Sequence, residues 1–387
     1  MQRLRIGLLN HAFGRPNLGV DALSRSNIAI LRASCLAAGI EPTFVLFGKP
    51  GADTPTDSDV THGEFLRLRQ LATLQLGAFR KAIAECDLVV DICAGDGFTD
   101  IYGAKLFMVH NLGKWATLLG KRPLVFAPQT IGPFNKFWSR SIAAAIFNRA
   151  TLTFARDGLS MKVLADMGVK TPCHEVIDVA FALPFEKAPP RGADAPVRVG
   201  INVSGLLYRY GDRFQLTVDY GALMRGMIEN VLAREKHEVW LVSHVIHDDA
   251  NTQDDLGAAS ELAKEYPGVH LAPEFRNSEE AKSFLSGLDF FTGGRMHACI
   301  GAISSGVPVL PIAYSRKFNG LFGTLGYERM IDGRALSTEE ALALFDASLD
   351  DRAAMAQECQ ASLSIAKGRL ALYADALSGL LARLAKD

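Results

Sequence analysis

The sequence predicts an α/β protein built as two Rossmann-like lobes facing each other across a cleft, with C-terminal helices. Short apolar runs alternate with amphipathic stretches of roughly a dozen to twenty residues, the pattern of parallel sheets joined by crossover helices. Four prolines fall between Pro184 and Pro196, a stretch that is neither helix nor central strand and therefore reads as a linker. A chain of 387 residues is also long enough for its core to split.

In the first lobe, strands are expected at 4–9, 43–47, 88–92, 124–127 and 152–155. Helical stretches separate them at 23–38, 64–85, 104–119, 136–149 and 159–167. In the second, strands are expected at 198–203, 238–242, 269–271, 290–292 and 309–312. Its helices fall at 220–234, 253–265, 279–288, 296–305 and 317–325. The resulting division is a lobe over 1–185, a linker over 186–196, a second lobe over 197–350, and helices over 351–387 that pack across both lobes.

Composition removes several function classes. With 41 Lys and Arg against 42 Asp and Glu, no bulk field favours coating nucleic acid or membrane, although local basic sites stay open. A hydrophobic fraction of 49% excludes disorder. The longest uncharged apolar stretch, Met296 to Tyr314, contains His297, Ser304, Ser305, two prolines and two glycines, and makes a poor membrane span. The start, Met-Gln-Arg-Leu-Arg-Ile, runs into a strand with no secretory segment. Cysteines 35, 86, 93, 173, 299 and 359 form no Cys-x-x-Cys pair, which argues against zinc and disulfides and for reduced thiols in the cytoplasm. Cys93 and Cys299 adjoin glycine-rich segments, but small buried side chains are the simpler reading.

In open α/β sheets ligands bind beyond the carboxyl ends of strands, and the unusual residues gather there. After the first strand, Asn17-Leu-Gly19-Val-Asp21 opens a helix whose N–H groups suit an anion, with Asp21 readable as an N-cap. This loop lacks the dinucleotide and P-loop signatures. After the third strand, Gly95-Asp96-Gly97-Phe-Thr-Asp100 offers paired carboxylates for sugar hydroxyls or a general base, or else a tight turn with solvated acids. Gln129 stands before Gly132-Pro133 as a neutral partner for a hydroxyl or carboxylate. Arg156 ends the fifth strand, either as an anion fork or as an ion pair with Asp157.

The strongest signal is Gly293-Gly294-Arg295-Met-His297. A strand ends in two glycines, and Arg and His stand at the start of a helix otherwise rich in Ala, Gly, Ser and Ile. Orphan N–H groups and the helix dipole favour an anion there, and an imidazole suits proton transfer near neutrality. Beyond the next strand lie Tyr314, Arg316 and Lys317, available to the same anion or to solvent. The segment Ser243-His244-Val-Ile-His247-Asp248-Asp249 clusters imidazoles and carboxylates without fixing a metal geometry.

Taken in order, Asn17-x-Gly19, the turn ending in Asp100, Gln129-Thr-Ile-Gly-Pro-Phe134, Arg156-Asp157-x-x-Ser160 and Asp178-Val-Ala-Phe181 form a series. Gly200-Ile-Asn-Val, Gly294-Arg295-Met-His297, Gly306-Val-Pro-Val and Tyr314-x-x-Lys317 continue it. This series resembles the polysaccharide pyruvyl transferase family from residue 5 to about 330. The resemblance implies a GT-B-like fold and transfer of the enolpyruvyl unit of phosphoenolpyruvate to a sugar, giving a pyruvate ketal and phosphate. It implies Arg156, Arg295 and His297 as donor-binding residues, with His297 as the acid. The sequence departs from the family in Ala94-Gly-Asp-Gly97, where three glycines are common, and in Gly19-Val-Asp21, where Gly-Asp is usual.

The residues suit that chemistry independently. A donor with a carboxylate and a phosphate needs at least two cationic anchors. The attacking sugar hydroxyl needs a base, for which Asp96 and Asp100 are the candidates. Asn17, Gly19, Gln129, His244 and Lys317 complete the expected substrate contacts. No step calls for a metal or redox cofactor, and the expected partners are phosphoenolpyruvate and a sugar acceptor. No nucleic acid and no integral membrane segment are expected, while a peripheral position near lipid-linked precursors is compatible with this reading. The competing readings are a GT-B glycosyltransferase using a nucleotide sugar and a non-catalytic sugar- or anion-binding protein of the same fold.

Overall fold

Central strands such as Leu88–Asp91 and Leu124–Gln129 are buried along their whole length, as expected for parallel strands covered on both faces. They belong to a seven-stranded sheet of order β3-β2-β1-β4-β5-β6-β7. Its strands are β1 (Gln2–Leu9), β2 (Ile40–Phe47), β3 (Val60–His62), β4 (Leu88–Asp91), β5 (Leu124–Gln129), β6 (Leu152–Ala155) and β7 (Cys173–Glu175). A six-stranded sheet repeats the plan as β10-β9-β8-β11-β12-β13. It comprises β8 (Val197–Asn202), β9 (His237–Leu241), β10 (His270–Leu271), β11 (Phe290–Gly293), β12 (Val309–Ala313) and β13 (Ile331–Asp332). The strands of both sheets pair in parallel, and this computed structural model describes residues 2–14, 16–48, 53–55, 57–64, 77–247 and 253–386.

In both sheets the strand order reverses beside the first strand. β1 lies between β2 and β4, and β8 lies between β9 and β11. These are the switch points at which doubly wound sheets leave a crevice.

The crossover helices of the first sheet are α1 (Leu18–Ala37), α2 (Gly77–Ala84), α3 (Ala104–Leu119), α4 (Phe137–Phe147) and α5 (Gly158–Asp166). Those of the second are α6 (Gly205–Tyr210), α7 (Tyr220–Leu232), α8 (Asp255–Glu265), α9 (Ser278–Leu285), α10 (Met296–Ser305) and α11 (Arg316–Thr324). They are followed by α12 (Thr338–Asp350) and α13 (Arg352–Leu384). Several helices start where a side chain takes an orphan N–H: Asp157 for α5, Asp219 for α7, Asp254 for α8 and Asn277 for α9. α10 is buried from Ala298 to Ser305 and stops at Gly306, whose φ of 91° is a left-handed cap that other residues resist.

The chain divides into two compact units. The first holds Met1–Phe13, Leu23–Ala182 and Lys367–Asp387; the second holds Gly14–Ala22 and Leu183–Ala366. This differs from a single cut near residue 185, because the tip of the first loop and the opening turn of α1 go with the second unit. The expected linker has no regular structure. It lies along α9, where Glu186 N donates to Ser283 Oγ and Ala188 N to Ser286 Oγ.

The first unit's core centres on Phe98, Phe107, Phe126, Phe134 and Phe147. α13 enters this unit through a buried relay. Tyr373 donates to Asn27 Oδ1 (2.8 Å), Asn27 Nδ2 faces His11 Nε2 (2.9 Å), and His11 Nδ1 faces the Leu9 carbonyl (2.9 Å). A carbonyl only accepts, so the proton belongs on Nδ1 and Nε2 accepts from Asn27. Burial holds this imidazole neutral, with its pKa lowered to about 4.

The expected core strands and crossover helices are present. The edge strands β3, β7 and β13 were not foreseen, since two or three residues carry no periodicity. Of the helix expected over 64–85, residues 65–76 lie outside the described residues, and α2 covers Gly77–Ala84.

Candidate active site

At the switch point of the second unit, β8 and β11 end side by side. A Cβ on Gly293 would lie 2.5 Å from the Asn202 Cβ, so only glycine allows this approach. Asn202 Oδ1 then accepts from Arg295 N (3.0 Å), and its Nδ2 donates to Val242 O (2.9 Å) and Asp255 Oδ2 (3.2 Å).

Asp255, fully buried at the start of α8, is the hub. It receives the Arg295 guanidinium through Nε (3.1 Å) and Nη2 (2.8 Å), Gly205 N (2.9 Å), His244 N (3.2 Å) and Val245 N (3.1 Å). Burial opposes the charge on Arg295, but the Asp255 carboxylate more than offsets it, and the arginine pKa is raised. Arg295 is therefore a fixed, permanently charged group whose Nη2 also donates to Gln253 O (2.7 Å).

The first loop closes onto this unit. Asn17 forms an antiparallel bridge with Val245, Leu18 N donates to His244 O (3.1 Å), and Ile246 N donates to Pro16 O (2.9 Å). Gly19 N is taken by Asn17 Oδ1 (3.0 Å). The expected anion cradle at Asn17–Gly19 is thus corrected, since the Leu18 and Gly19 N–H groups are already used. Gly19 supplies space instead: a Cβ there would sit 2.5 Å from His297 Nδ1. Asp21 is buried and structural. It accepts from Gly14 N (2.7 Å), Ser278 N (2.8 Å) and Ser278 Oγ (2.6 Å), tying the loop to the start of α9.

His244 is 4% exposed, and neither ring nitrogen has a hydrogen-bond partner among the described residues. Burial, then the charges of His297 and Arg295, lower its pKa to about 3, so the ring is neutral with one N–H and one lone pair unmet. Leaving such groups buried costs about 1–3 kcal/mol, a cost that a bound ligand removes. Lys317 stands in the first turn of α11, three residues beyond Tyr314. A cavity of about 800 Å³ elsewhere in this unit, lined by Phe185, Phe275 and Phe284, contains none of these residues.

In the first unit, the loops after β4, β5 and β6 meet at Arg156. Arg156 N donates to Gln129 O (3.3 Å), Thr130 N donates to Gly95 O (2.8 Å), and a Cβ on Gly95 would lie 3.6 Å from Arg156 Nη1. The guanidinium pairs with Asp178 (Nη1–Oδ2 2.6 Å), not with Asp157, which caps α5.

One expected role changes here. Asp100 accepts from Asn135 N (2.9 Å), Lys136 N (2.8 Å) and Ser139 Oγ (2.6 Å). Burial works to raise its pKa, but these donors win and hold it below the ordinary carboxylate value, which suits a brace for the turn before α4 and not a general base. Gln129 is buried, with Nε2 donating to Asp91 O (3.0 Å) and Ala127 O (3.2 Å), while its Oε1 has no hydrogen-bond partner among the described residues. Asp96 remains half-buried beside Gly95 and accepts from the Tyr102 hydroxyl (3.0 Å).

Sequence reasoning missed Asp255 and the buried Lys114. Lys114 lies 3.4 Å from Asp91 Oδ2, 2.8 Å from His110 O and 4.6 Å from the Phe98 ring centre. Both fall inside expected helices, over 104–119 and 253–265, where no local pattern sets them apart. Cys93 is buried, and burial pushes its thiol up to about 12; Cys299 is raised for the same reason. Neither is a poised nucleophile. His247 N donates to Asp254 Oδ1 (3.2 Å), and Asp248 and Asp249 lie outside the described residues.

Two doubly wound parallel sheets, each with polar groups at its switch point, define a pair of Rossmann-like units of the kind found in GT-B-type glycosyltransferases and epimerases. Solved structures agree on this fold. Anabaena HepE in complex with UDP and glucose superposes with a TM-score of 0.60 at 14% identity, covering 95% of both chains. The UDP-GlcNAc 2-epimerase of Neisseria meningitidis bound to UDP-GlcNAc gives 0.58 at 10% identity, covering 96% of this chain and 98% of its own. Sequence narrows the class: the polysaccharide pyruvyl transferase family matches residues 11–316, and the chain belongs to that family. The amylovoran biosynthesis protein AmsJ of Erwinia amylovora is 24% identical over 292 residues, 71% of this chain and 68% of that protein. Among the described residues no helix is long and apolar enough to cross a membrane.

Proposed function

We propose that the chain transfers the enolpyruvyl unit of phosphoenolpyruvate to a sugar of a polysaccharide or its precursor, with no metal or redox cofactor. The observation that carries this reading is His244, a neutral imidazole buried without partners beside the Arg295 charge and His297. Arg295 and the α10 N-terminus attract an anionic donor, and His244 satisfies its unmet groups on the donor's oxygens. His297, backed by Gly19, delivers a proton to the methylene carbon of the enol as a sugar hydroxyl attacks the adjacent carbon. A second hydroxyl then displaces phosphate, which closes the ketal. In the first unit, Arg156 offers a cationic group and Asp96 a carboxylate able to take a hydroxyl proton.

Phosphate release from phosphoenolpyruvate in the presence of candidate sugars tests this. The expected result is release that His297→Ala abolishes, together with a higher melting temperature on adding phosphoenolpyruvate. Stabilisation by a uridine nucleotide and not by phosphoenolpyruvate would favour glycosyl transfer instead. Stabilisation by phosphoenolpyruvate with no turnover on any sugar would leave a binding protein.

A further inference from the structure

A second feature, independent of the donor site, lies on the surface of the first unit. From Ile101 to Arg156 the chain has no Asp or Glu but eight Lys and Arg, although the whole sequence is close to neutral. Lys114 and Arg156 are buried, so the rest give this stretch a one-signed charge. Twelve large apolar side chains are exposed among the described residues, and six of them fall in this same segment. The most exposed is Phe137, at 86%, the first residue of α4.

The two helix starts concerned are neighbours. The buried Asp100 carboxylate ties the turn before α3 to the Asn135 and Lys136 N–H groups before α4, and Phe107 packs edge-on against Trp138 with ring centres 5.5 Å apart. Ile101, Tyr102, Leu106 and Phe137 therefore share one face with Lys105 and Lys136. Lys136 Nζ lies 5.9 Å from the Trp138 ring centre. Two carboxylates lie nearby: Asp100 is buried under its donors, and Asp96, half-buried, accepts from Tyr102 and offsets part of the lysine charge. Apolar tips surrounded by lysine ammonium groups fit a layer that is apolar below and anionic above.

We propose that this face of the first unit docks on an anionic phospholipid bilayer. Phe137, Leu106 and Ile101 enter the acyl boundary, Tyr102 lies at headgroup level, and Lys105 and Lys136 meet the phosphates.

Co-sedimentation of the full chain with vesicles decides the matter, with Trp138 fluorescence as a second readout because its ring lies near Lys136. Binding is expected to vesicles containing phosphatidylglycerol and not to pure phosphatidylcholine. It should weaken in about 0.5 M salt, where charges are screened within ~4 Å. Phe137→Ser, at an exposed position that folding does not need, should lower the partition coefficient by roughly tenfold, as should Lys105→Glu with Lys136→Glu. Equal binding to both vesicle types, or unchanged binding by both variants, overturns the proposal. Concentration-dependent dimerisation lost in Phe137→Ser, without vesicle binding, would overturn it too and assign the face to a second copy of the chain. None of these readouts depends on pyruvyl transfer.

Discussion

His297 and Gly19, 278 positions apart in the chain, are packed so closely that a single Cβ on the glycine would lie 2.5 Å from the imidazole Nδ1. The first loop thus contributes a flat backbone wall against which the ring is set. Gly19→Ala should displace the ring and leave the rest of the second unit in place. The expected result is a fall in kcat of roughly a hundredfold. The melting temperature should shift by only a few degrees, about what 1 kcal/mol or less produces. Phosphate release and calorimetry on the same preparation check this, and a large loss of stability with unchanged turnover would sink it.

Asp255 organises Arg295, and its removal strands a buried guanidinium. Asp255→Ala should cost about 3–5 kcal/mol, the usual penalty for breaking a buried pair from one side. Asp255→Asn keeps several of the accepted bonds and should cost less. Urea denaturation of both variants measures the difference.

The two carboxylates after β4 separate cleanly. Asp100→Ala removes the acceptor for Asn135, Lys136 and Ser139 and should destabilise the protein by about 1–3 kcal/mol, as leaving buried donors unmet does. Asp96→Asn should leave the melting temperature nearly unchanged and depress turnover if Asp96 is the base. The opposite pattern, with turnover lost in the Asp100 variant at full stability, would return the base to Asp100.

Acid should weaken the first unit through His11. Its folded pKa of about 4 lies below the ordinary 6.5, so between those values the unfolded chain binds the extra proton. Stability is therefore complete above pH 6.5 and falls as pH drops towards 4, by on the order of 3 kcal/mol for this group. His11→Asn should flatten the melting-temperature slope in that window, a comparison that scanning calorimetry makes directly. His244, lowered to about 3, adds a loss of the same sign in the second unit.

Tyr373→Phe removes the donor at the end of the His11–Asn27 relay. The expected cost is about 1 kcal/mol, since the ring stays packed against Phe154 and only the hydrogen bond goes. Chemical denaturation gives the number.

The strands were readable because buried parallel strands are continuous apolar runs, and Arg295 and His297 because charge at the start of an apolar helix stands out. Their partners were not readable. Asp255 lies 40 positions before Arg295 and Asp178 lies 22 beyond Arg156, and which carboxylate meets which guanidinium is settled by the switch-point geometry. Asp100 misled for a related reason. A polar residue at a strand end suits a ligand and a neighbouring backbone equally well, and for Asp100 only the backbone position of Asn135 decides between them. The Asn17–Gly19 loop was assigned by its place in sequence, yet its pairing with Val245 puts it in the second unit.

The membership of Lys367–Asp387 in the first unit has a consequence for biosynthesis. Domains ordinarily fold as they emerge, the amino-terminal one first. Here the ribosome must make every residue of the second unit before it reaches Tyr373, the side chain that closes the relay under β1. The unit that begins the chain is therefore the one that matures last. Until then Asn27 and Phe154 wait without their aromatic partner, an interval in which a nascent-chain chaperone would find its target.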